Sequence, residues 1–536
     1  MPNQTKARTL AAVLDEWAAL DPTRPAIFHE DRVLSYGALR EETLAAAATL
    51  LARGVRPGDR IGMLLGNVPE WVVLALAADR VGAVMVPLST WYKETEIAWT
   101  MAHCGISLLV SATRFLRTDY AAIIAGLVPE VRGGGRNIRN PRFPSLRHVM
   151  LLESEAASWD DFLAEGRGHE AALPRDLPAD RNAFIIYTSG STAAPKGVVL
   201  NQDSLVANGW QLGARRGIGP QDRVWIGTPL FYALGAANAL PASLTHGAAI
   251  VLQGWFEPGR AMDTIERTCA TVYYATGNMT IGMLGHPEYR KARLGSLVKG
   301  NAGLGAEYKR LTLVELGIKE AVPAYGMTET YGNVTVGRTD DPIELKLRSD
   351  GAPVPGMELR IVDPDTGAPV PTGGKGLVLV RGHITPGYYG NPPEAMAAFR
   401  ADGWFDTGDI GSLDTEGNFT FEARLKEVIK SGGINISPVE VEQLIASHPD
   451  VRDAYVVGVT SPKLGQLIVA FVNPCNPVSE AAIRDFMRER AASYKAPHHV
   501  LFRKEEQLPR LSSGKVSKAR LIEDARIALG LAEAAP

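Results

Sequence analysis

Short β-branched runs alternate with helix-periodic stretches through the first half of the chain, and that alternation admits few folds. The runs Arg60-Ile61-Gly62-Met63-Leu64, Val84-Met85-Val86, Leu108-Leu109-Val110 and Ala249-Ile250-Val251-Leu252 read as strands. Between them, Tyr36 to Leu51 carries apolar residues at three- and four-residue spacing, and Arg53-Gly54 closes that helix. Strands separated by helices give α/β layers with largely parallel sheets. From about Gly351 the texture changes. Glu358 to Asp363, Gly376 to Arg381 and Asn418 to Phe421 are short strands set off by Gly, Pro and Asp turns, the pattern of a smaller β-rich subdomain. After Arg424 the pattern is mixed again, with helices over Val439 to Ser447 and Ser479 to Arg490 and strands over Asp453 to Val459 and Leu467 to Val472. The main boundary falls near Lys426, dividing residues 1–425 from 426–536.

Charge narrows the ligands. The 56 Lys plus Arg nearly cancel the 59 Asp plus Glu, leaving a net charge of −3, so no broad basic footprint for nucleic acid is expected. An anionic ligand would need a local site. Cys104, Cys269 and Cys475 form no CxxC pair, which fits a reducing compartment and argues against a zinc cluster. The first twenty residues are amphipathic, carry Asp and Glu, and lack the apolar core of a signal peptide. Trp71 to Leu88 is interrupted by Asp79, Arg80 and Gly82, so it reads as a buried helix running into a strand rather than a membrane span. The expectation is a cytoplasmic protein with no membrane span and no nucleic-acid partner. The segment Arg132 to Arg147, with three consecutive glycines and five arginines, reads as a solvated surface insertion, with anion binding as the alternative.

One segment carries chemistry on its face. Phe184-Ile185-Ile186-Tyr187 is an apolar strand that delivers Thr188-Ser189-Gly190-Ser191-Thr192-Ala193-Ala194-Pro195-Lys196-Gly197. Small residues let backbone N–H groups approach phosphate oxygens, hydroxyls add donors, and the lysine supplies charge. It is not a Walker A loop, because Pro195 precedes Lys196 and Gly197 follows it.

This loop resembles the Thr-Ser-Gly-Thr-Thr-Gly-x-Pro-Lys-Gly signature of the adenylate-forming superfamily, of the acyl-CoA synthetase and aryl- or fatty-acid–CoA ligase type. Ser191 replaces a threonine and keeps the hydroxyl; Ala193 replaces a glycine and stiffens the loop. The family's other motifs follow in order over nearly the whole chain. Tyr325-Gly326-Met327-Thr328-Glu329 matches Tyr-Gly-x-Thr-Glu, in which a hydroxyl beside a carboxylate suits phosphate and Mg²⁺ together. Thr407-Gly408-Asp409, by itself an ordinary turn, matches the family's Thr-Gly-Asp, whose aspartate accepts hydrogen bonds from ribose hydroxyls. Arg424-Leu425-Lys426 resembles the hinge, and Ser431-Gly432-Gly433 the loop that lines the thiol tunnel. Leu511-Ser512-Ser513-Gly514-Lys515 resembles the C-terminal Ser-Gly-Lys, with Lys518 a weaker alternative to Lys515. Lys299 to Gly305 resembles the strand-loop against adenine, with Gly303 in place of a common proline.

The resemblance implies an α/β fold: a large N-terminal domain of two α/β sheet subdomains plus the β-rich one, and a small mobile α+β C-terminal domain swinging about Lys426. It implies a two-step reaction using ATP, Mg²⁺ and coenzyme A. A carboxylate attacks the α-phosphorus of ATP, releasing pyrophosphate, and a thiol then takes the acyl group from the adenylate. The implied catalytic groups are Lys515, Glu329, Thr328 and Lys196, with Mg²⁺ at Glu329 and more weakly at Thr192. The nucleotide falls to Thr188, Ser189, Gly190, Ser191, Thr192, Ala302, Gly303, Tyr325, Gly326, Asp409 and Arg424, and the thiol tunnel to Gly432 and Gly433. The acyl pocket, by the same resemblance, is formed by Tyr232, Ala233, Gly235, Asn278 and Met327. These are mostly apolar or small, with no lysine or arginine for a second carboxylate, so the expected acid is an apolar monocarboxylic one. The acceptor stays open between coenzyme A and the pantetheine of a carrier protein in trans. No carrier-domain serine motif follows Lys515, which tilts the reading to coenzyme A. A catalytically silent nucleotide-binding protein is the reading from another class, and a homodimer is left open.

Overall fold

The computed structural model describes residues 8–152, 158–188, 195–364, 366–390, 393–425, 429–436, 438–509 and 516–531, and within these leaves undescribed the side chains of residues 133, 306–307, 394, 423–424, 435, 439, 443 and 519. The chain forms two compact units: residues 1–90, 100–187 and 197–423 make the larger, and residues 91–99, 188–196 and 424–536 the smaller.

The larger unit holds two extended sheets. One runs in the order Lys196–Asn201, Asn182–Thr188, Val84–Pro87, Arg60–Leu64, Leu108–Ala112, His148–Leu152, and the strands from Asn182–Thr188 onward pair in parallel. The other has nine strands. Its middle, from Glu320–Tyr325 through Lys299–Gly303, Val272–Tyr274, Arg223–Ile226 and Ala249–Leu252 to Pro25–His29, is parallel. Alternate side chains of one strand enter different cores. Val224, Ile226, Val272 and Tyr274 join the main core, whereas Trp225 and Tyr273 join a second one. A strand buried on both faces needs apolar residues at every position, which is why these runs do not alternate in sequence.

The stretch read as a helix entering a strand is Pro69–Val81 followed by Val84–Pro87. Proline opens the helix, Glu70 lies in its first turn, and Gly82 closes it at φ +72. Both sides of this helix are buried, so its apolarity serves the core. Among the described residues no helix is long and apolar enough to cross a membrane. Of the five arginines between 132 and 147, four are exposed while Phe143 and Leu146 are buried, a surface insertion with its own small anchor.

The β-rich segment is an antiparallel sheet of Met357–Val362, Gly376–Gly382, Phe405–Leu413 and Phe419–Arg424. Here Thr407-Gly408-Asp409 is no simple turn, since it lies inside the nine-residue strand Phe405–Leu413. Leu377 faces Ile410 and Leu379 faces Asp406, so four residues on one strand span two on its neighbour. The bulge is built from Gly408 at φ +67, whose N–H donates to Asp406 at 2.9 Å, and from Thr407, whose hydroxyl donates to the Val378 carbonyl at 2.8 Å.

In the smaller unit, Ile434–Ile436, Ile429–Ser431, Gly465–Pro474 and Val451–Ser461 form a sheet, with His499–Phe502 parallel beside Gly465–Pro474. Gly432 and Gly433 join the first two as a two-residue hairpin at φ +61 and +77. Both positions demand the left-handed region, which glycine alone enters without strain. Lys495, 4% exposed, is held between Glu96 and Glu440 at 2.7 Å each, a pairing that a buried ammonium requires.

Candidate active site

The strand Glu320–Tyr325 ends at the larger unit's main candidate residues. Tyr325 is buried, with its ring against Phe419 and Phe421, and its hydroxyl donates to Asp409 at 2.7 Å. Asp409 is 1% exposed, turned inward by the bulge described above. A carboxylate only accepts, so one oxygen held by Tyr325 fixes the direction of the other.

Three residues beyond Tyr325 the chain winds into the tight turn Thr328–Thr330 and leaves it through Tyr331 at φ +56 and Gly332 at φ +89. The helix Gln202–Arg215 holds this turn: Asn208 donates to the carbonyls of Thr330 (3.1 Å) and Tyr331 (3.2 Å). Glu329 accepts a hydrogen bond from Tyr388 at 2.9 Å. Burial first, then the charge of Glu329, raises the Tyr388 pKa, so the phenol stays a donor. Tyr388 sits on a loop sewn to the strand after the phosphate-loop signature. The N–H of Tyr389 donates to the Gly197 carbonyl (2.7 Å), that of Val199 to Gly387 (3.1 Å), and the Thr385 hydroxyl to Val199 (2.6 Å). The Thr385 N–H closes the circuit on the Glu329 carbonyl at 2.6 Å. Tyr388 and Thr385 were missed by sequence reasoning; their only signal is an aromatic pair inside the Gly- and Pro-rich Thr385-Pro386-Gly387-Tyr388-Tyr389-Gly390.

Ala302 is buried at the end of Lys299–Gly303. Gly303 stands at φ +90, a conformation that proline, fixed near −65°, cannot adopt. Gly326 packs against the Gly332-Asn333 backbone, and a Cβ there would lie 2.4 Å from Asn333 Cα. In the expected acyl segment, a Cβ on Gly235 would meet the Pro229 carbonyl at 2.5 Å. Ala233 is buried, Tyr232 half-buried with its ring 4.7 Å from that of Phe231, and Leu234–Ala239 forms a π-helical turn. Asn278 and Met327 are half-buried.

Thr188 ends its strand and Lys196 begins the next, both in the smaller unit. Ser189, Gly190, Ser191, Thr192, Lys426 and Lys515 lie outside the described residues. Arg424 closes the strand Phe419–Arg424, with its side chain also outside them. Lys518, the alternative to Lys515, is paired with Glu442 at 2.7 Å.

Residues 14–389 match the family model of the AMP-binding enzyme, and residues 440–515 that of the AMP-binding enzyme C-terminal domain. The chain belongs to the AMP-binding enzyme family. Within it, the 3-[(3aS,4S,7aS)-7a-methyl-1,5-dioxo-octahydro-1H-inden-4-yl]propanoyl:CoA ligase of Mycobacterium tuberculosis is 34% identical over 532 residues, covering 96% of this chain and 99% of that one. The mitochondrial medium-chain acyl-CoA ligase ACSF2 of Danio rerio is 30% identical over 530 residues, covering 95% and 87%. Among solved structures, o-succinylbenzoate CoA synthetase from Bacillus subtilis, bound with a product analogue, aligns with a TM-score of 0.79 at 28% identity over 96% of this chain and 98% of its own. These relatives span both units, so family membership covers the whole α/β architecture.

Proposed function

We propose that this enzyme activates an apolar monocarboxylic acid with ATP, forming the acyl-adenylate and pyrophosphate, and then passes the acyl group to coenzyme A. The observation that carries this reading is the pair of carboxylates served by one chain segment. Tyr325 orients Asp409, and four residues later Glu329 is oriented by Tyr388. One acceptor suits a ribose and the other a cation-bound phosphate, so the two would register a nucleotide at both ends. The relatives' names, a propanoyl:CoA ligase and a medium-chain acyl-CoA ligase, support an acid and coenzyme A as the other substrates.

Mg²⁺ fits this arrangement as a companion of the nucleotide. Among the described residues no three His, Cys, Asp or Glu side chains gather to hold a metal, and Mg²⁺ characteristically takes one or two carboxylates plus substrate phosphates. When bound it neutralises phosphate charge; Glu329 is the carboxylate that would hold it, with Thr192 the weaker partner. For the chain's own groups, Lys196 and Lys515 would bring positive charge to the phosphates as the carboxylate approaches, which is positioning and charge stabilisation rather than covalent catalysis. Gly432 and Gly433, without side chains in a left-handed hairpin, leave room for a pantetheine chain. Residues 426–536 would act as the mobile domain, with Lys426 its hinge. Three free cysteines, two of them exposed, support a reducing, cytoplasmic setting.

The test is ATP–pyrophosphate exchange over a panel of carboxylic acids, repeated as AMP release with coenzyme A. Exchange with at least one acid, and AMP release that depends on coenzyme A, is expected; nucleotide binding without exchange returns the protein to a silent binder. Lys426→Pro is expected to lower the thiol step about tenfold or more while adenylation changes less, because a fixed φ restricts the swing. Unchanged thioester formation in that variant rejects Lys426 as the hinge.

A further inference from the structure

A histidine and two tyrosines of the larger unit close a circuit between the two places where the phosphate-loop segment leaves and rejoins it. His103 is the last but one residue of the helix Glu94–Cys104. Its Nδ1 is hydrogen-bonded to the Tyr187 hydroxyl at 2.7 Å, and the two rings meet edge to face with centroids 5.7 Å apart. Tyr187, 7% exposed, is the last residue of the larger unit before the segment 188–196, and Gly197 is the first after it. The Tyr187 ring lies over Gly197, where a Cβ would come within 3.2 Å of it. The Gly197 carbonyl accepts from the Tyr389 N–H at 2.7 Å, and the Tyr389 ring returns edge-on to His103 at 5.9 Å.

Each point of the circuit needs its own chemistry. Gly197 has no side chain, which is what lets the Tyr187 ring come so near. The Tyr187 hydroxyl serves His103 and also meets the buried Cys104 thiol, which burial pushes up to about 11 and so keeps as S–H. Partial burial lowers the His103 pKa, so the ring is neutral and offers one donor and one acceptor nitrogen. His103 is itself exposed and adds little to the core. What it fixes is the placement of the strand that enters the phosphate loop relative to the strand that leaves it. The circuit also reaches the expected metal carboxylate, because Tyr388, beside Tyr389, donates to Glu329.

We propose that His103 is a positioning residue for the polyphosphate of ATP, holding both ends of the phosphate-loop segment at the separation that phosphate binding requires. This rests on the nucleotide reading above and adds to it a residue that does not itself touch substrate. A segment whose ends are fixed has fewer arrangements to give up when it closes on a ligand. Losing the circuit is therefore felt as weaker binding and not as a missing catalytic group. Lys196, which would bring positive charge to the phosphates, is bonded directly to Gly197 in the chain. ATP should thus feel the loss far more than AMP, which keeps one phosphate and the ribose hydroxyls that Asp409 would hold.

The test measures the Kd of ATP and of AMP, each with Mg²⁺, by titration calorimetry on the full chain. His103→Leu is expected to weaken ATP about threefold to tenfold and AMP less than about twofold. Its thermal midpoint should stay within about 2 °C of the unaltered protein, because the ring is exposed. His103→Asn places an amide oxygen or nitrogen where Nδ1 stood, so it suits the Tyr187 hydroxyl as donor or acceptor and should restore most of the ATP affinity. Tyr187→Phe keeps the ring over Gly197 and loses the hydroxyl. It should weaken ATP by about the same factor as His103→Leu, and combining the two should add little. Unchanged ATP affinity in His103→Leu, equal weakening of ATP and AMP, no recovery in His103→Asn, or additive losses overturn the proposal. The ligase reading fails separately, by absent ATP–pyrophosphate exchange in a protein whose ATP-against-AMP preference still depends on His103. No ATP binding by the unaltered protein overturns both.

Discussion

Lys515→Ala is expected to lower ATP–pyrophosphate exchange by about two to three orders of magnitude, the scale seen when one preorganised donor to developing charge is removed. Thioester formation from preformed acyl-adenylate should change far less. The asymmetry follows from the charges of the two half-reactions. In the first, a carboxylate must approach a polyphosphate, and each group is anionic; an ammonium between them relieves repulsion that peaks as the new bond forms. In the second, a thiol meets an acyl-adenylate whose phosphate carries one charge, so the same ammonium has little left to stabilise. Lys518, the first residue of the helix Lys518–Ala528 and paired with Glu442, is committed elsewhere and should not rescue the loss. Single-turnover measurement of each half-reaction separates them. Equal loss in both would mean that Lys515 supports the fold or both reactions alike, and the assignment would fall.

The strands and helices were legible where one physical rule governed them. Tyr36–Ala52 follows from its apolar spacing and the Arg53-Gly54 end, Pro69–Val81 from an apolar run broken by charges and Gly82, and the doubly buried strands from unbroken apolar runs. What stayed hidden depends on partners far away in sequence. Thr407-Gly408-Asp409 looks like a turn because Gly and Asp favour turns, yet its neighbour, Gly376–Gly382, draws it into a bulged strand. Tyr388 becomes meaningful only when its loop is pinned to Gly197 and Val199, nearly two hundred residues earlier. Nothing in the local sequence marks Arg216 as buried, yet it is 1% exposed, with Asn238 and the Tyr274 hydroxyl accepting from it. Residues 91–99 and 188–196 cluster with the C-terminal unit, and no composition shift marks either segment. The candidate site was legible only as motifs, and the groups that orient Asp409 and Glu329 were not legible at all.

Asp409→Asn is expected to raise the KM for ATP by about tenfold to a hundredfold, the equivalent of losing one hydrogen bond to a charged acceptor. The substitution keeps the volume and leaves an amide oxygen for the Tyr325 hydroxyl, so the fold around it should change little. The amide's NH₂ would then face the ribose hydroxyls, donor against donor, where the carboxylate had accepted. Tyr325→Phe makes the opposite trade. It keeps the carboxylate but removes a donor 2.7 Å away from a group only 1% exposed, and should cost roughly 1–3 kcal/mol of stability. Its effect on the KM for ATP should be the smaller of the two, because an acceptor remains, less firmly aimed. Measuring both variants for KM and for thermal midpoint tells binding from support. If Asp409→Asn lowers the midpoint as much as Tyr325→Phe and leaves the KM for ATP unchanged, the pair is a structural hydrogen bond and the nucleotide is held elsewhere. If the two readouts split as expected, the bulge at residues 407–409 exists to aim a carboxylate, and its departure from a regular strand is explained by the ligand rather than by the sheet.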